Sequence, residues 1–347
     1  MAKGIMYVDN IRVEFDDEPT IMDVCRKAGV EMPNFCFHSD LSVYGACRMC
    51  MVEDLDTGKI DAACTTKPKN GMRIRTNTSR LLKYRRMILE LMLASHCRDC
   101  TACEKNRSCR LQEMAVRFGI HHVHFKDTRE HVPMDFSSPA VTFDLNKCIL
   151  CGDCVRVCKE VQGMSILHFA GRGPGLHIEA GDDQPISTTH CVSCGQCAAV
   201  CTTGAITVKN DIGAAWRALH DPQKRVVIQI APAVRVAIGE AYGLPAGENV
   251  LDKLVTALKI MGADEIYDTI FGADLTVREE SKEFLRRLET GENLPLMTSC
   301  CPSWVRYVEQ ERPQFIKNLS SALSPMQMFA TVLKLSLIHI SEPTRRS

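Results

Sequence analysis

Two runs of cysteine carry the plainest chemistry in this sequence. Cys148-Ile-Leu-Cys151-Gly-Asp-Cys154-Val-Arg-Val-Cys158 and Cys191-Val-Ser-Cys194-Gly-Gln-Cys197-Ala-Ala-Val-Cys201 share the spacing C-x2-C-x2-C-x3-C. Three thiolates on one tight turn can hold three corners of an iron–sulfur cubane, and the fourth comes from the other run. The spacing therefore predicts crossed sets: Cys148, Cys151, Cys154 with Cys201, and Cys191, Cys194, Cys197 with Cys158. Zinc has little use for three closely spaced thiolates plus a distant fourth. The proline that usually follows the last cysteine is Lys159 in one run and Thr202 in the other; it binds nothing, so its absence leaves the ligand sets intact.

Two looser sets precede these. Cys36, Cys47, Cys50 and Cys64 are spaced C-x10-C-x2-C-x13-C, enough for a [2Fe–2S] rhomb with two thiolates per iron; a zinc site is the alternative that C-x2-C allows. Gly45 and Ala46 keep the long loop small, so that amides can approach the sulfides. The second is His96-x3-Cys100-x2-Cys103-x5-Cys109, with Cys97 offering a competing C-x2-C-x2-C-x5-C reading. Imidazole can replace a thiolate at a cluster iron, and spacing alone leaves both readings open. Cys25 lies in a helical apolar pattern with Ile21, Val24 and Ala28 and reads as a core thiol.

The totals agree with metal chemistry. There are 19 cysteines in 347 residues, an odd and clustered number that argues against a disulfide framework. Lys+Arg and Asp+Glu balance at 42 each, which gives no sign of a nucleic-acid or membrane-surface partner. No apolar run approaches the roughly 18 residues of a spanning helix. The start, MAKGIMYVDN, lacks an apolar signal region, which predicts a cytoplasmic protein.

The elements that must position these residues change along the chain. Ile5–Val8 and Ile11–Phe15 read as a hairpin split by Asp9-Asn10. Thr20 is placed to cap a helix over Ile21–Ala28 that ends at Gly29, and Leu81–Ser95 is apolar at helical spacing. His121–Ser138 is polar and reads as a linker. From Arg225 onward, Val226–Ile230, Glu265–Tyr267 and Leu294–Thr298 are strand candidates alternating with helical stretches, the pattern of a parallel α/β sheet. Leu335–Ser347 does not continue the preceding helical pattern and reads as a non-native tail. Thr298-Ser299-Cys300-Cys301-Pro302-Ser303-Trp304 falls where a strand should meet a helix over Pro302–Gln310, and a cysteine beside a helix N-terminus is more readily a thiolate.

The ordered motifs and the segment TSCCPSW together resemble the iron-only hydrogenases over residues 1–334. Ala231-Pro232-Ala233, Phe271-Gly272-Ala273-Asp274-Leu275-Thr276 and Leu319-Ser320-Ser321-Ala322 resemble further segments of that family. The resemblance implies an α+β multidomain chain. Its parts are a β-grasp [2Fe–2S] domain (1–78), a His-ligated [4Fe–4S] domain (79–126) and a double [4Fe–4S] domain like bacterial ferredoxin (139–209). Part of an α/β active-site domain (222–334) follows, then the tail (335–347). It selects His96 as ligand and Cys97 as bystander.

It further implies that Cys301 ligates the cubane of the H-cluster, a [4Fe–4S] unit joined to a diiron site, with Cys300 as proton relay. Ala231, Pro232 and Ala233 would meet the diiron ligands. Glu280, Glu283, Arg287 and Ser320 would form the proton route; without the family, 280, 283 and 287 on one helix face read as solvated charge. The family's three later H-cluster cysteines have no counterpart after Cys301, so the chain is expected to be a truncated hydrogenase, inactive by itself. The implied activity is 2H⁺ + 2e⁻ ⇌ H₂, with ferredoxin or a flavin- and NAD(P)-binding partner subunit exchanging electrons. The rival readings are an electron-input subunit of a complex I or formate dehydrogenase type, which leaves TSCCPSW unexplained, and a non-catalytic relative that builds iron–sulfur proteins, which lacks the first cysteine set.

Overall fold

The computed structural model describes residues 3–127, 129, 131–182 and 184–341, with 337–341 described by backbone alone. The chain divides into two compact units, Met1–Lys209 and Asn210–Ser347.

The first unit opens on a hairpin of β1 (Gly4–Val8) and β2 (Ile11–Phe15). Asp9 and Asn10 turn it with φ of 50° and 74°, the doubly left-handed turn that suits the strand twist. Helix α1 (Ile21–Lys27) follows, then β3 (Met51–Asp54), β4 (Ile60–Ala62) and β5 (Arg73–Arg75). The sheet order is β2-β1-β5-β3-β4, with β1 and β5 parallel. Period-two alternation puts Met6 and Val8 on the face where α1 lays Ile21, Val24 and Cys25, and all five are fully buried. Thr20 differs from expectation: its hydroxyl donates to Asp23 at 2.6 Å and caps no amide.

Helices α2 (Ser79–Ala94) and α3 (Arg110–Arg117) come next. Thr78 does cap α2, its hydroxyl accepting from the Leu81 amide at 3.3 Å. Leu89 of α2 and Leu111 of α3 are buried in one core with Phe35, Cys36, Cys47, Met49 and Ile149, and each such leucine contributes about 2 kcal/mol. That core touches three of the four cysteine sets.

The expected linker is in its second half stitched down. Asp135 and Phe143 exchange two main-chain hydrogen bonds of 2.9 and 3.0 Å. The Asn146 side chain does the same for both main-chain groups of Val132. A polar composition hid this, because the bonds use backbone atoms that every residue carries.

The repeat forms β6 (Val141–Phe143), α4 (Asp153–Arg156), β7 (Leu167–Ala170), β8 (His177–Ala180), α5 (Gln196–Val200) and β9 (Ile206–Val208). β6 pairs with β9 and β7 with β8, both antiparallel. Gly152 and Gly195 start α4 and α5 with φ of 76° and 77°, a conformation that favours glycine.

The second unit contains α6 (Ile212–Leu219), β10 (Val227–Ile230), α7 (Val234–Ala237), α8 (Leu251–Ile260), β11 (Glu265–Asp268), α9 (Ile270–Thr290), α10 (Pro302–Glu311) and α11 (Pro325–Ser341). β10 and β11 pair in parallel, Val227 with Glu265 through Ile230 with Asp268. Gly272 lets α9 meet α11: a Cβ there would lie 2.2 Å from the Pro325 carbonyl oxygen. Leu294–Thr298 is not a strand; only Met297 bridges, to Leu319, since Pro295 has no amide to donate. The break expected at Leu335 is absent, as α11 runs through Ser341; the rest of the tail, 342–347, lies outside the described residues.

Candidate functional site

In the repeat the fold brings the two runs together crosswise. Cys148, Cys151, Cys154 and Cys201 line one cavity with Leu145, Ile178 and Ile206. Cys158, Cys191, Cys194 and Cys197 line a second, with Ile166, Leu167 and Ile186. Main-chain amides aim at the sulfurs in matching places. The Leu150 and Ser193 amides reach Cys148 Sγ and Cys191 Sγ, each at 3.4 Å, from residues with φ of 57° and 58°. The Ile166 and Ile206 amides reach Cys158 Sγ and Cys201 Sγ at 3.3 and 3.4 Å. Where the usual proline is missing, Val157–Val161 makes a π-helical turn that carries Cys158. Burial pushes the Cys151 and Cys197 thiols up to about 12 and raises the Cys154 thiol well above its usual value. Such thiols ionise when a metal supplies the countercharge, so the donor set fits iron–sulfur cubanes.

The first set is wholly buried. The Cys36 thiol is influenced most by Cys47 and the Cys50 thiol most by Cys64, a pairing that suits two thiolates on each of two irons. The Cys47 amide donates to Cys36 Sγ at 3.3 Å and the Phe35 amide to Cys47 Sγ at 3.4 Å. Cys25 stays apart in the sheet–helix core, fully buried, its thiol raised to about 12 by burial.

His96 Nδ1 is buried with no hydrogen-bond partner. Burial pushes the imidazole down to about 4, so it is neutral and its free nitrogen is a donor fit for a metal. Cys97 turns elsewhere: its thiol lies 3.4 Å from the Asp99 carboxylate and its amide donates to the Asn146 carbonyl at 2.9 Å. Cys100 opens a short 3-10 turn and Cys109 precedes α3. His124 pairs with Glu90 at 2.8 Å, outside this group.

The sets are tied to one another. Arg156, two residues past Cys154, donates to the Cys36 carbonyl at 2.9 Å and also contacts Ser42 and Asp153. Glu160 accepts from the Ser42 amide and hydroxyl at 2.8 and 2.5 Å. Tyr44 stacks on Phe169 with ring centres 5.9 Å apart. On the other side, Cys97 bonds Asn146 and the Arg110 amide bonds the Thr202 carbonyl at 3.1 Å. Sequence reading missed Arg156 and Asp153, although a charged residue inside a ligand run was a visible signal.

In the second unit, Cys300 and Cys301 are exposed just before α10. Ala231, Pro232 and Ala233 are exposed at the C-terminal end of β10, the end where parallel sheets place their ligands. Glu283 and Arg287 are each 8% exposed and paired at 2.6 Å, so the reading of that helix face as solvated charge fails for both. Glu283 also accepts from Ser320 Oγ, the Ser321 amide and Ser321 Oγ at 3.0–3.1 Å. Burial raises this carboxyl, but the bonds from Arg287, Ser321 and Ser320 outweigh it and hold it below the usual range. Arg287 further donates to the carbonyls of Asn293, Asn318 and Leu319. Glu280 Oε1 is buried without a partner. Ser299 Oγ, missed in the sequence, donates to the Ala322 carbonyl at 2.8 Å, while the Ala322 amide donates to Ser320 Oγ at 3.1 Å. This joins the cysteine-bearing loop to Glu283.

Known proteins share these parts. Residues 224–344 match the family described as the iron only hydrogenase large subunit, C-terminal domain. Residues 5–79 match a 2Fe-2S iron-sulfur cluster binding domain, 85–124 the NADH-ubiquinone oxidoreductase-G iron-sulfur binding region, and 140–202 a 4Fe-4S dicluster domain. The chain is 36% identical to the NADP-reducing hydrogenase subunit HndD of Solidesulfovibrio fructosivorans, over 96% of this chain and 59% of that one. It is 33% identical to iron hydrogenase 1 of Clostridium pasteurianum, over 95% of this chain and 58% of that one. The chain thus spans less than two thirds of these relatives. A chain in the crystal structure of an NAD⁺-reducing [NiFe]-hydrogenase aligns with 30% identity and a TM-score of 0.56, covering 60% of this chain and 88% of that one. No helix among the described residues is long and apolar enough to cross a membrane.

Proposed function

We propose, from the premise that this chain belongs to the iron-only hydrogenase large-subunit family, that its first unit is a four-station electron relay serving hydrogen chemistry, 2H⁺ + 2e⁻ ⇌ H₂. Bound iron–sulfur clusters would supply single-electron acceptors. Cys36, Cys47, Cys50 and Cys64 would hold a [2Fe–2S] cluster. His96, Cys100, Cys103 and Cys109 would hold a [4Fe–4S] cluster. Cys148, Cys151, Cys154 and Cys201 would hold a second, and Cys158, Cys191, Cys194 and Cys197 a third. The crossed cysteine cavities carry this reading.

The contacts favour an order. The first set touches α4 through Arg156. The second touches the Asn146–Cys148 and Thr202 segments. Both therefore abut the third set, which is the natural junction, and the fourth set shares its fold.

In the second unit, Cys301 would supply one thiolate to the catalytic cubane, with Ala231, Pro232 and Ala233 beside the diiron site. Cys300 would exchange the substrate proton. Glu283, Ser320, Glu280 and Arg287 would carry protons onward, Ser320 and Glu283 already lying 3.1 Å apart. The likeness to NADP- and NAD⁺-reducing hydrogenases supports a nucleotide-binding partner subunit, with ferredoxin as the other electron partner.

A second reading keeps the relay and moves catalysis to a partner, as in an electron-input subunit of complex I type. The match of 85–124 to the oxidoreductase-G region favours it. Anaerobic reconstitution separates these from zinc binding: about 14 irons should load, one two-iron and three four-iron clusters. Zinc with little iron would refute both. Hydrogen evolution from reduced methyl viologen by the protein supplied with a diiron group then decides between them.

A further inference from the structure

Arg85 is a buried cation without a buried anion. It lies on α2 and is 3% exposed. Its three nitrogens each donate to a main-chain carbonyl: Nε to Met49 at 3.0 Å, Nη1 to Thr76 at 2.8 Å and Nη2 to Met51 at 2.7 Å. Among the described residues no carboxylate forms an ion pair with it. Asp9, a nearby acid, gives its oxygens to the Thr76 amide and hydroxyl.

Carbonyl dipoles alone leave a buried charge poorly compensated, and a guanidinium cannot escape by losing its proton. The two carbonyls from Met49 and Met51 bracket Cys50. The missing anion is therefore expected on the Cys50 side.

We infer that Arg85 is the countercharge of the metal group held by Cys36, Cys47, Cys50 and Cys64, and that it raises that group's reduction potential. The inference rests on the proposed [2Fe–2S] assignment of this set. Four thiolates and two sulfides outweigh the iron charge, and reduction adds one more negative charge. A fixed cation beside the cluster stabilises the reduced form more than the oxidised form. The same cation, bonded on both sides of Cys50, holds the ligand loop in place. Arg85 is thus a positioning residue with an electrostatic role.

The test is an anaerobic redox titration of the reconstituted full chain, following the [2Fe–2S] electron paramagnetic resonance signal in wild type, Arg85→Gln and Arg85→Lys. Gln keeps donors for the carbonyls and removes the charge; Lys keeps the charge. At the wild-type midpoint, Arg85→Gln should lower the reduced-to-oxidised ratio about tenfold, about 59 mV for one electron. Arg85→Lys should restore most of it, and the other clusters should not move. An unchanged midpoint in loaded Arg85→Gln overturns the inference. So does loss of this cluster alone in both variants, which would make Arg85 a scaffold and nothing more. Failure of the wild type to load a [2Fe–2S] cluster would instead strike the assignment beneath it.

Discussion

Arg156 Nη2 donates to the Cys36 carbonyl at 2.9 Å, so a residue inside one cysteine ligand run grips the first cysteine of another set. The same guanidinium is 8% exposed, pairs with Asp153, and lies 5.5 Å from the Tyr44 ring centre. One side chain thus sets the spacing between two proposed electron stations.

Removing it should be expensive. Arg156→Ala leaves Asp153 buried and unpaired, at about 3 kcal/mol, and frees the Cys36–Cys47 loop. The expected result is a lower denaturation midpoint and faster iron release from the first set, with Arg156→Lys intermediate. Unchanged release in Arg156→Ala would mean that the loop holds itself.

His96 and Cys97 should behave oppositely. His96→Ala should abolish or shift one [4Fe–4S] magnetic signal, because its unpartnered Nδ1 is the free donor. Cys97→Ser should leave every signal in place, because its thiol lies against Asp99. The reverse pattern would transfer the ligand role to Cys97.

The crossed cavities predict crossed damage. Cys158→Ser should impair the cluster bound by Cys191, Cys194 and Cys197. Cys201→Ser should impair the one bound by Cys148, Cys151 and Cys154. Mössbauer spectra of the two variants distinguish them, and damage confined to each mutated run's own cluster would contradict the fold.

Glu283 should make the second unit acid-sensitive. Its carboxyl is held below the ordinary glutamate value of about 4.3. A depressed carboxyl contributes stability that is complete above the unfolded value and lost as pH falls through the folded one. Glu283→Gln should cost about 3 kcal/mol at neutral pH by leaving Arg287 buried and unpaired. It should also flatten the acid limb of stability below about pH 4.3. Hydrogen exchange at α9 against pH checks both, and an acid limb unchanged by the substitution would remove Glu283 as its source.

Much of the site was legible because ligand runs are local. C-x2-C-x2-C-x3-C places three thiolates on one turn, and the Asp9-Asn10 turn and the α2 pattern depend on neighbours in sequence. The strand expected over Leu294–Thr298 needed a partner along its length, and only Met297 found one. The linker expected over His121–Ser138 found partners that its composition could not announce. Residues 280, 283 and 287 shared a helix face in either reading, and only tertiary packing buried two of them: Ser320 and Ser321 cover Glu283, and the carbonyls of Asn293, Asn318 and Leu319 cover Arg287.

The sequence by itself determined how closely each run spaces its candidate thiolates, because bond geometry ties spacing to cluster type, and it left His96 and Cys97 as rivals. Tertiary structure alone decided where the Cys97 thiol turns, which nitrogen of His96 is free, and where Arg85 and Arg156 place their charge. Those outcomes depend on distances between residues far apart in the chain, and on burial, which converts an ordinary surface charge into one that must find a partner.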